Sequence, residues 1–457
     1  MNLRDRLKLL KAAGAARAEE ERAAARPAAL PAPDPSDEGA GAAGPLVGQR
    51  AGTASIGEAP ATSPTPFLLG GMLDGYLTPT GSGEAFYIET RYPVEYRRGP
   101  LPLEHLLGLP SAAWEQLGRV PSTVDMRRAV FFDTETTGLS GGTGTYAFLV
   151  GLGFFDRHDF VVRQYFLRDY PEEDAMLEAV AADLNRFGLL VSFNGKSFDW
   201  PLMETRFRMV RRKVPMTGAP HLDLLHPARR IWKERLGACN LQNLEAQILG
   251  VHRQGDVPGH LIPPLYFDYL RTGNVEPLAE VILHNRMDIV SLVSLAGWLG
   301  QMVTDPLGAT PDGELLCGDD LYALGRLYEA RGMLAESLTC YEAARERGTV
   351  AVSEPALLRQ LSATYKRVKE HQQAVAIWER MIQGGNHLSL FPYVELAKYH
   401  EHVTRSYDLA EEITRQALAV AEYRRTLAGA YGPGTLKELQ AVQHRLQRLQ
   451  RKRGLPG

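Results

Sequence analysis

Apolar and polar positions along the middle of the chain follow two periods. The runs MRRAVFFDTETTG, YAFLVGLGFF and DFVVRQYFL are rich in β-branched and aromatic residues, which predicts three strands. PEEDAMLEAVAADLNRF has helical spacing with acids in its first turn, and LLVSFN predicts a short buried strand. The following residues, to about 300, have mostly helical spacing. This order predicts an α/β domain over 127–300, with a mixed central sheet flanked by helices.

The last third of the chain carries an internal helical repeat. Tyr328 and Tyr341 recur 37 residues later as Tyr365 and Trp378, and a third, looser unit follows. Each unit is a helix pair that buries its apolar face only by stacking on its neighbours. The spacing predicts an all-α, TPR-like helical repeat domain over 310–457.

Ahead of the α/β domain, the composition changes twice. Residues 1–24 carry three leucines at helical spacing, which predicts an amphipathic helix that is either solvated or docks on a partner. Residues 25–66 are rich in Ala, Pro, Gly, Ser and Thr, and they predict a disordered linker. Residues 67–126 contain several aromatics and many glycines. They predict a β-rich or irregular lead-in segment that packs on the α/β domain.

Composition and charge limit the class of protein. The chain has 457 residues, of which 44% are hydrophobic, enough for more than one core. Its formal net charge is −3, so any nucleic-acid binding must come from a local basic patch. Three widely spaced cysteines form no CxxC pair, which fits a reducing cytoplasm. The longest apolar run, 146–155, is about half the roughly 20 residues of a membrane-spanning helix. We therefore expect a cytoplasmic protein with no membrane partner.

Two carboxylates follow the first predicted strand. Asp133 and Glu135 stand at i and i+2 in FFDTETTG, so both side chains point to one face of the strand. Two acids that face one way repel each other unless a cation holds them, and carboxylate oxygens suit Mg²⁺ or Mn²⁺. The alternative is a polar turn after a strand, but the whole DTETTG unit is more specific than its two acids.

Three further residues are candidates for the same site. Asp199 follows a buried strand and a turn, where an acid is either a helix cap or a bridging ligand. His284 and Asp288 stand at i and i+4 in VILHNRMDIVSL and share one face of a predicted helix. Such a pair supplies a metal ligand and a proton acceptor, or it is an ordinary surface contact. Together, four carboxylates and one histidine predict two divalent ions that activate water and stabilise the leaving oxygen of a phosphodiester.

The chain resembles the DEDD exonuclease superfamily, with DTETTG as the first motif. Its second motif, Asn194 through Asp199, is similar to that of the proofreading domain of family B DNA polymerases. The whole segment from roughly 85 to 300 is similar to the bacterial YprB-like group of RNase H-like exonucleases. The runs that carry this likeness are GLSGGTGTYAFLVGLG, SFNGKSFDWPLMETRF, HLDLLHPARRIW, NLEAQILG, DVPGHLIPPLYFDYL and HNRMDIVSL.

The resemblance implies an RNase H-like fold, two Mg²⁺ or Mn²⁺ ions and a defined set of ligands. The implied metal ligands are Asp133, Glu135, Asp199 and Asp288. The remaining catalytic residue, His284, would lie beside the attacking water. In DEDD enzymes of the histidine type, this histidine usually stands five residues before the final aspartate, whereas the tyrosine type has tyrosine four residues before. In this chain a histidine stands at the spacing of the tyrosine.

Residues near the motifs are candidates for contacts with nucleic acid. The predicted substrate-binding residues are Asn194, Lys196, Phe198, Asp223 and Arg253. Two basic clusters, RFRMVRRK at 206–213 and a predicted helix with cations at 229–235, either contact phosphates or form solvated helix faces.

These observations favour a metal-dependent 3′→5′ exonuclease acting on DNA or RNA, with the polarity implied by the resemblance. One alternative is a TPR-type protein-interaction scaffold with a nucleic-acid-binding, catalytically weak RNase H-like domain. Another is an endonuclease, because RNase H-like sites also cut internally. The repeats predict a protein or peptide partner, or alternatively they pack on the nuclease and shape substrate access.

Overall fold

A computed structural model describes residues 64–454 except 119, 122, 139–143, 309–312, 314, 385–387 and 428–432. The predicted helix at 1–24 and most of the predicted linker at 25–66 lie outside the described residues. The domain boundaries proposed from the sequence stay predictions.

The described part of the chain forms one eight-stranded sheet in the order β1-β2-β3-β6-β5-β4-β7-β8. β4 pairs with β7, and β7 with β8, in parallel, and the other pairs are antiparallel. The sheet is therefore mixed, as predicted, and the lead-in segment supplies three of its strands. The strands are β1 Thr65–Leu69, β2 Leu73–Thr80, β3 Gly83–Pro93, β4 Ala129–Thr136, β5 Ala147–Asp156, β6 Asp159–Phe166, β7 Leu189–Ser192 and β8 His221–Asp223.

Helices flank this sheet on both faces. They are α1 His105–Gly108, α2 Ser111–Gly118, α3 Glu173–Leu184, α4 Asp199–Met209, α5 Leu225–Leu236, α6 Leu241–Leu244, α7 Ile262–Thr272 and α8 Leu278–Thr304. A π-helical segment, Glu245–Leu249, continues α6, and 3₁₀ turns lie at Met126–Arg128, Tyr170–Glu172 and Gly259–Leu261.

Alternate residues of β4 belong to two different cores. Ala129 and Phe131 pack in a core with α2, α5 and most of α8. Val130 and Phe132 pack in a second core with α3, α4 and α7. Because side chains alternate along a strand, this division decides which helix covers each residue at the end of β4.

Helix α8 crosses the sheet as a buried core helix. It is long and apolar enough to cross a membrane by length and composition, but 78% of its most apolar window is buried inside the fold. Two glycines of β5 allow its close approach, because a Cβ atom on Gly151 would lie 2.4 Å from the Asn285 side chain and one on Gly153 would lie 2.4 Å from Ile289.

Among its described residues, the C-terminal region consists of helices joined by short connections. Its helices are α9 Gly318–Ala330, α10 Leu334–Arg347, α11 Glu354–Arg367, α12 His371–Gln383, α13 Phe391–His402, α14 Tyr407–Leu427 and α15 Pro433–Lys452. Consecutive helices pack against each other in chain order. Residues of α9 to α12 belong to the same buried cluster as α2, α5 and α8, so this region and the α/β domain share one core. That these helices are TPR-like repeats stays a prediction.

Candidate active site

The two acids of the first motif lie at the end of β4, on the face that α8 covers. Asp133 and Glu135 continue the face of Ala129 and Phe131. On the neighbouring strand, Asp133 is paired with Gly151, which has no side chain to fill the space above the sheet. Both acids are largely enclosed, and the side chain of Glu135 is 13% exposed.

Helix α8 brings His284 and Asp288 to these acids. The Nε2 atom of His284 lies 3.9 Å from Glu135 Oε1 and 3.7 Å from Asp288 Oδ2. Its Nδ1 atom lies 2.7 Å from Asp256 Oδ1, so Asp256 orients the ring with Nε2 towards the other acids. Burial opposes the charged ring, but the hydrogen bond with Asp256 and the charges of Asp288 and Glu135 outweigh it and raise the pKa of His284 to about 9.

The third acid, Asp199, is the first residue of α4. Its carboxylate accepts a hydrogen bond from the Thr134 hydroxyl, on the strand residue between the first two acids. Burial raises the pKa of Asp199, and the hydrogen bond from Thr134 offsets part of that rise. The second motif is therefore tied to the first by a direct contact.

Four carboxylates lie within electrostatic reach of one another. Burial raises the pKa of Asp133 well above its ordinary range, and repulsion from Asp288, Asp199 and Glu135 raises it further. A hydrogen bond from Asn285 only partly opposes this rise. Burial and the charges of Asp288 and Asp199 likewise raise the pKa of Glu135 to about 8, against the attraction of the charged His284 ring.

This donor set fits a divalent cation chemically. Carboxylate oxygens are the ligands that Mg²⁺ and Mn²⁺ prefer, and a bound cation relieves the repulsion between buried acids. Among the residues that the structure describes, no three His, Cys, Asp or Glu side chains already surround a common metal position. The four acids therefore have the ligand type and the proximity that a divalent cation needs, but their side chains do not form a complete coordination shell.

Arg253 lies beside the acids of the site and bridges three carboxylates. Its guanidinium contacts Glu245 at 2.6 and 2.7 Å, Asp256 at 3.2 Å, and Asp288 through the Nη2 and Oδ1 atoms. The side chain is only 7% exposed. In this conformation its donors are directed to protein acids, so its predicted role in substrate binding stays a prediction, and its observed contacts hold Asp288 and Asp256 in place.

A chain of amide groups holds Asp133. The Asn285 Nδ2 group donates to Asp133 Oδ2 at 2.8 Å, and the Gln164 Nε2 group donates to Asn285 Oδ1 and to the Ile282 carbonyl, each at 2.8 Å. Gln164 and Asn285 are fully buried. A buried hydrogen-bonded chain of this kind fixes the rotamer of the acid at its end.

The loop after β7 is fixed by Asp223. This carboxylate accepts hydrogen bonds from the backbone N–H groups of Asn194 at 2.7 Å and Lys196 at 3.1 Å, and it is only 3% exposed. Asn194 itself has a left-handed backbone with φ of 66°. The side chains of Lys196 and Phe198 are exposed, Phe198 by 60% of its surface. Of the predicted substrate-binding residues, these two present exposed side chains directly before Asp199.

The basic cluster 206–213 is partly turned inward. Arg206 forms a buried ion pair with Glu173, whose carboxylate it contacts at 2.5 Å. Arg212 pairs with Asp174 and Glu178. These arginines hold α4 against α3, so the cluster is not a uniform surface for phosphates.

Several residues of the site were missed by sequence reasoning. The roles of Glu245, Gln164 and Asn285 could not be read from the sequence, because each side chain contacts a partner more than a hundred residues away. One signal was available for the amide chain. Two glycines on one face of β5, Gly151 and Gly153, are typical of a strand that another element approaches closely.

The charge of Glu135 gives a pH prediction for the metal-free protein. Its pKa in the folded state, about 8, lies above the ordinary value of 4.5. The stability it contributes is therefore fully present below about pH 4.5 and is lost as the pH rises through 8. We expect Glu135→Gln to unfold at nearly the wild-type temperature at pH 5. By pH 8.5 the free energy of unfolding of Glu135→Gln should exceed that of wild type by an amount on the order of 1–3 kcal/mol.

Thermal unfolding in EDTA at several pH values between 5 and 9 measures this difference. The variant Glu84→Gln, at an exposed position, is the control and should show no such trend. A constant difference between Glu135→Gln and wild type at every pH would contradict the raised pKa of Glu135.

Comparison with known proteins agrees with the fold. Residues 130–300 match the RNase_H_2 family of the RNase_H superfamily. This match covers β4 to α8 and includes all four acids and His284. The chain therefore contains an RNase H superfamily domain, and a C-terminal helical region follows it.

A protein of Bacillus subtilis (strain 168), named Uncharacterized protein YprB, is 31% identical over 343 residues, which are 73% of this chain and 80% of that protein. The chain belongs to the YprB family. Among solved structures, the family B DNA polymerase of the hyperthermophilic archaeon Pyrobaculum calidifontis is matched with a TM-score of 0.30 and 13% identity. That match covers 62% of this chain and 34% of the polymerase, so the chain spans about a third of the polymerase's length.

Proposed function

We propose that this protein is a divalent-metal-dependent nuclease, and that it acts as a 3′→5′ exonuclease on DNA or RNA. The observation that supports the proposal is the convergence of Asp133, Glu135, Asp199 and Asp288, with His284, at one end of β4. This cluster lies inside an RNase H superfamily domain. The preference for exonuclease over endonuclease rests on the order of the motifs and on the resemblance to DEDD enzymes.

The proposed metal ligands are the four acids, and two bound Mg²⁺ or Mn²⁺ ions would supply the activation of water and the stabilisation of the leaving oxygen. The amide chain through Asn285 holds Asp133, and Thr134 holds Asp199. Arg253 holds one oxygen of Asp288, which leaves the other directed towards His284.

His284 is the residue placed to move a proton. Its Nδ1 atom is occupied by Asp256, so Nε2 is the atom that faces Glu135 and Asp288. The carboxylates around it keep the ring charged at neutral pH, and neutralising them lowers that pKa towards the range where Nε2 accepts a proton. His284 stands four residues before Asp288, whereas the histidine-type enzymes have five. At this spacing its Nε2 atom lies 3.9 Å from Glu135 and 3.7 Å from Asp288.

The exposed residues before Asp199 suit the end of a nucleic-acid strand. Phe198 offers an aromatic surface on which a terminal base stacks, and such stacking contributes about 1–3 kcal/mol per base. Lys196 offers an exposed cation to a phosphate. Both residues follow β7, which is parallel to β4, so they lie at the same edge of the sheet as Asp133 and Glu135.

Degradation of 5′-labelled single-stranded DNA and RNA of equal sequence tests the proposal. Wild type, Asp288→Asn and the exposed control Asp268→Asn are each incubated with Mg²⁺, Mn²⁺ or EDTA. We expect a metal-dependent ladder that shortens from the 3′ end, is kept by the control, and is lost in Asp288→Asn.

Other outcomes separate the alternatives. Products cut at internal positions would show that the protein is an endonuclease and not an exonuclease. No cleavage of either substrate with any metal, or equal cleavage by Asp288→Asn, would contradict the proposed exonuclease on single strands and favour a nuclease for structured substrates or the interaction scaffold.

A further inference from the structure

A basic cleft lies between the RNase H-like domain and the helical region. It has a volume of about 440 Å³ and is bordered by α5 on one side and α9 on the other. We call it the seam cleft. Its charged lining residues are Arg229, Arg230, Lys233, Glu234, Arg326 and Arg331. The lining therefore contains five cationic side chains and one carboxylate. The cleft is positively charged although the formal net charge of the chain is −3.

Two of the arginines are fixed by the end of another helix. Arg230 Nη1 donates to the Leu117 carbonyl at 3.1 Å, and Arg331 Nη2 donates to the Gln116 carbonyl at 2.7 Å. Both carbonyls lie in the last turn of α2, whose negative end attracts cations. A guanidinium has five N–H donors in a planar fork, so Arg230, anchored in this way, is pre-oriented for a second acceptor.

The other cations face the solvent from opposite walls. Arg229 and Lys233 are exposed and stand four residues apart on α5, and Arg326 is exposed on α9. Like charges at this helical spacing repel each other by a few tenths of a kcal/mol. Within the described residues, Glu234, 3.6 Å from Arg326, is the carboxylate of the lining that offsets them. An arrangement of cations that is unfavourable alone becomes favourable when a polyanion occupies the cleft.

The walls of the cleft are held in a fixed relation. Arg235 on α5 binds Asp320 on α9 through two contacts of 2.8 and 3.0 Å, and Asp320 is 5% exposed. Trp232 and Leu324 pack in the same buried core beneath this pair. The cleft is therefore formed before any ligand binds, which lowers the entropic cost of binding.

Helix α5 leads from the loop of the carboxylate site to the seam cleft. Helix α5 begins two residues after Asp223, which fixes the loop of the site. Arg229 and Lys233 follow the start of α5 by four and eight residues, a distance of roughly 6–12 Å at 1.5 Å per residue. Asp223 also lies within electrostatic range of Asp199, one of the four acids, so a strand whose end lies at those acids would reach the seam cleft within a few nucleotides.

We propose that the seam cleft binds the phosphate backbone of a single-stranded nucleic acid a few nucleotides from the end held in the carboxylate site. The helical region then contributes cations to substrate binding. This inference rests on the proposed function for the identity of the ligand. An acidic protein segment is the competing ligand, and the test below separates the two.

The test measures binding without requiring cleavage. Full-length protein carrying Asp133→Asn, in EDTA, is titrated into fluorescent single-stranded DNA or RNA of about 15 nucleotides, and anisotropy is recorded at several salt concentrations. The cleft variant adds Arg229→Glu and Lys233→Glu. The control variant adds Arg425→Glu and Lys437→Glu, exposed positions on α14 and α15 with the same change in charge. Circular dichroism and thermal unfolding check that both variants fold.

We expect the cleft variant to bind at least about tenfold more weakly than the control variant at low salt. The slope of log affinity against log salt concentration is negative, and its magnitude should decrease by about 1.4, that is, about 0.7 for each lost phosphate contact. Equal binding by the two variants would overturn the proposal, as would binding of polyglutamate but not of DNA or RNA by the parent protein. Failure of the proposed function is distinct, since it appears as absent cleavage by wild type while cleft-dependent binding remains.

Discussion

Asp133→Asn is expected to lose metal-dependent hydrolysis and to gain stability in the absence of metal. The carboxylate is a proposed metal ligand, so its loss should reduce the cleavage rate by more than the roughly 100-fold seen when an outer-shell partner is removed. The same carboxylate is buried among three others, which raise its pKa. Neutral asparagine has nearly the same shape and removes that repulsion. The free energy of unfolding should therefore rise by about 1–2 kcal/mol in EDTA.

Two measurements test the expected loss of cleavage and the expected gain in stability. Cleavage of a labelled strand gives the rate, and thermal unfolding with and without Mn²⁺ gives the stability. Wild type should gain stability from Mn²⁺ because the ion binds only the folded site, and Asp133→Asn should gain much less. Asp268→Asn, at an exposed position, is the matched control. An Asp133→Asn protein that is less stable than wild type in EDTA would contradict the repulsion, and one that cleaves normally would contradict the ligand role.

The arrangement of the site along β4 and α8 could be predicted because it depends on local periodicity. Side-chain alternation in a strand places Asp133 and Glu135 on one face, and a spacing of four places His284 and Asp288 on one face of a helix. The structure shows both placements. The mixed sheet flanked by helices is also confirmed, because the order of strands and helices along the chain restricts the possible layers. The chemical roles of these residues stay predictions.

The contacts that hold the site could not be predicted, because they depend on which side chains meet after folding, whether the partners are near in sequence, as Arg253 and Glu245 are, or far apart, as Asn285 and Asp133 are. Arg253 was a candidate for substrate binding on account of its loop, yet its guanidinium is enclosed by Glu245, Asp256 and Asp288. A sequence shows which residues are charged, but not which charges meet once the chain is folded. The lead-in strands β1–β3 illustrate the same limit, since the register that joins β3 to β6 depends on tertiary pairing.

Arg253→Met is expected to weaken metal binding and to destabilise the fold at the same time. The guanidinium binds one oxygen of Asp288 and also holds Asp256, which orients His284. Without it, Asp288 and Glu245 lose a buried cationic partner, although Glu245 keeps its bond from Arg98 at 3.0 Å. Breaking a buried ion pair costs about 3–5 kcal/mol, and loss of an outer-shell partner costs roughly 10- to 100-fold in metal affinity or activity.

A half-buried arginine elsewhere, Arg163, separates positioning of the site from general stability. Arg163 bridges Glu89 and Asp183 at 2.6 Å each, on the part of the sheet formed by β3 and β6. Arg163→Met should lower the unfolding temperature in a similar way while the Mn²⁺ dependence of unfolding and the pH profile of cleavage stay as in wild type. In Arg253→Met both should change, because Asp288 and His284 lose their fixed positions. Equal Mn²⁺ affinities in the two variants would mean that Arg253 stabilises the fold without positioning the site.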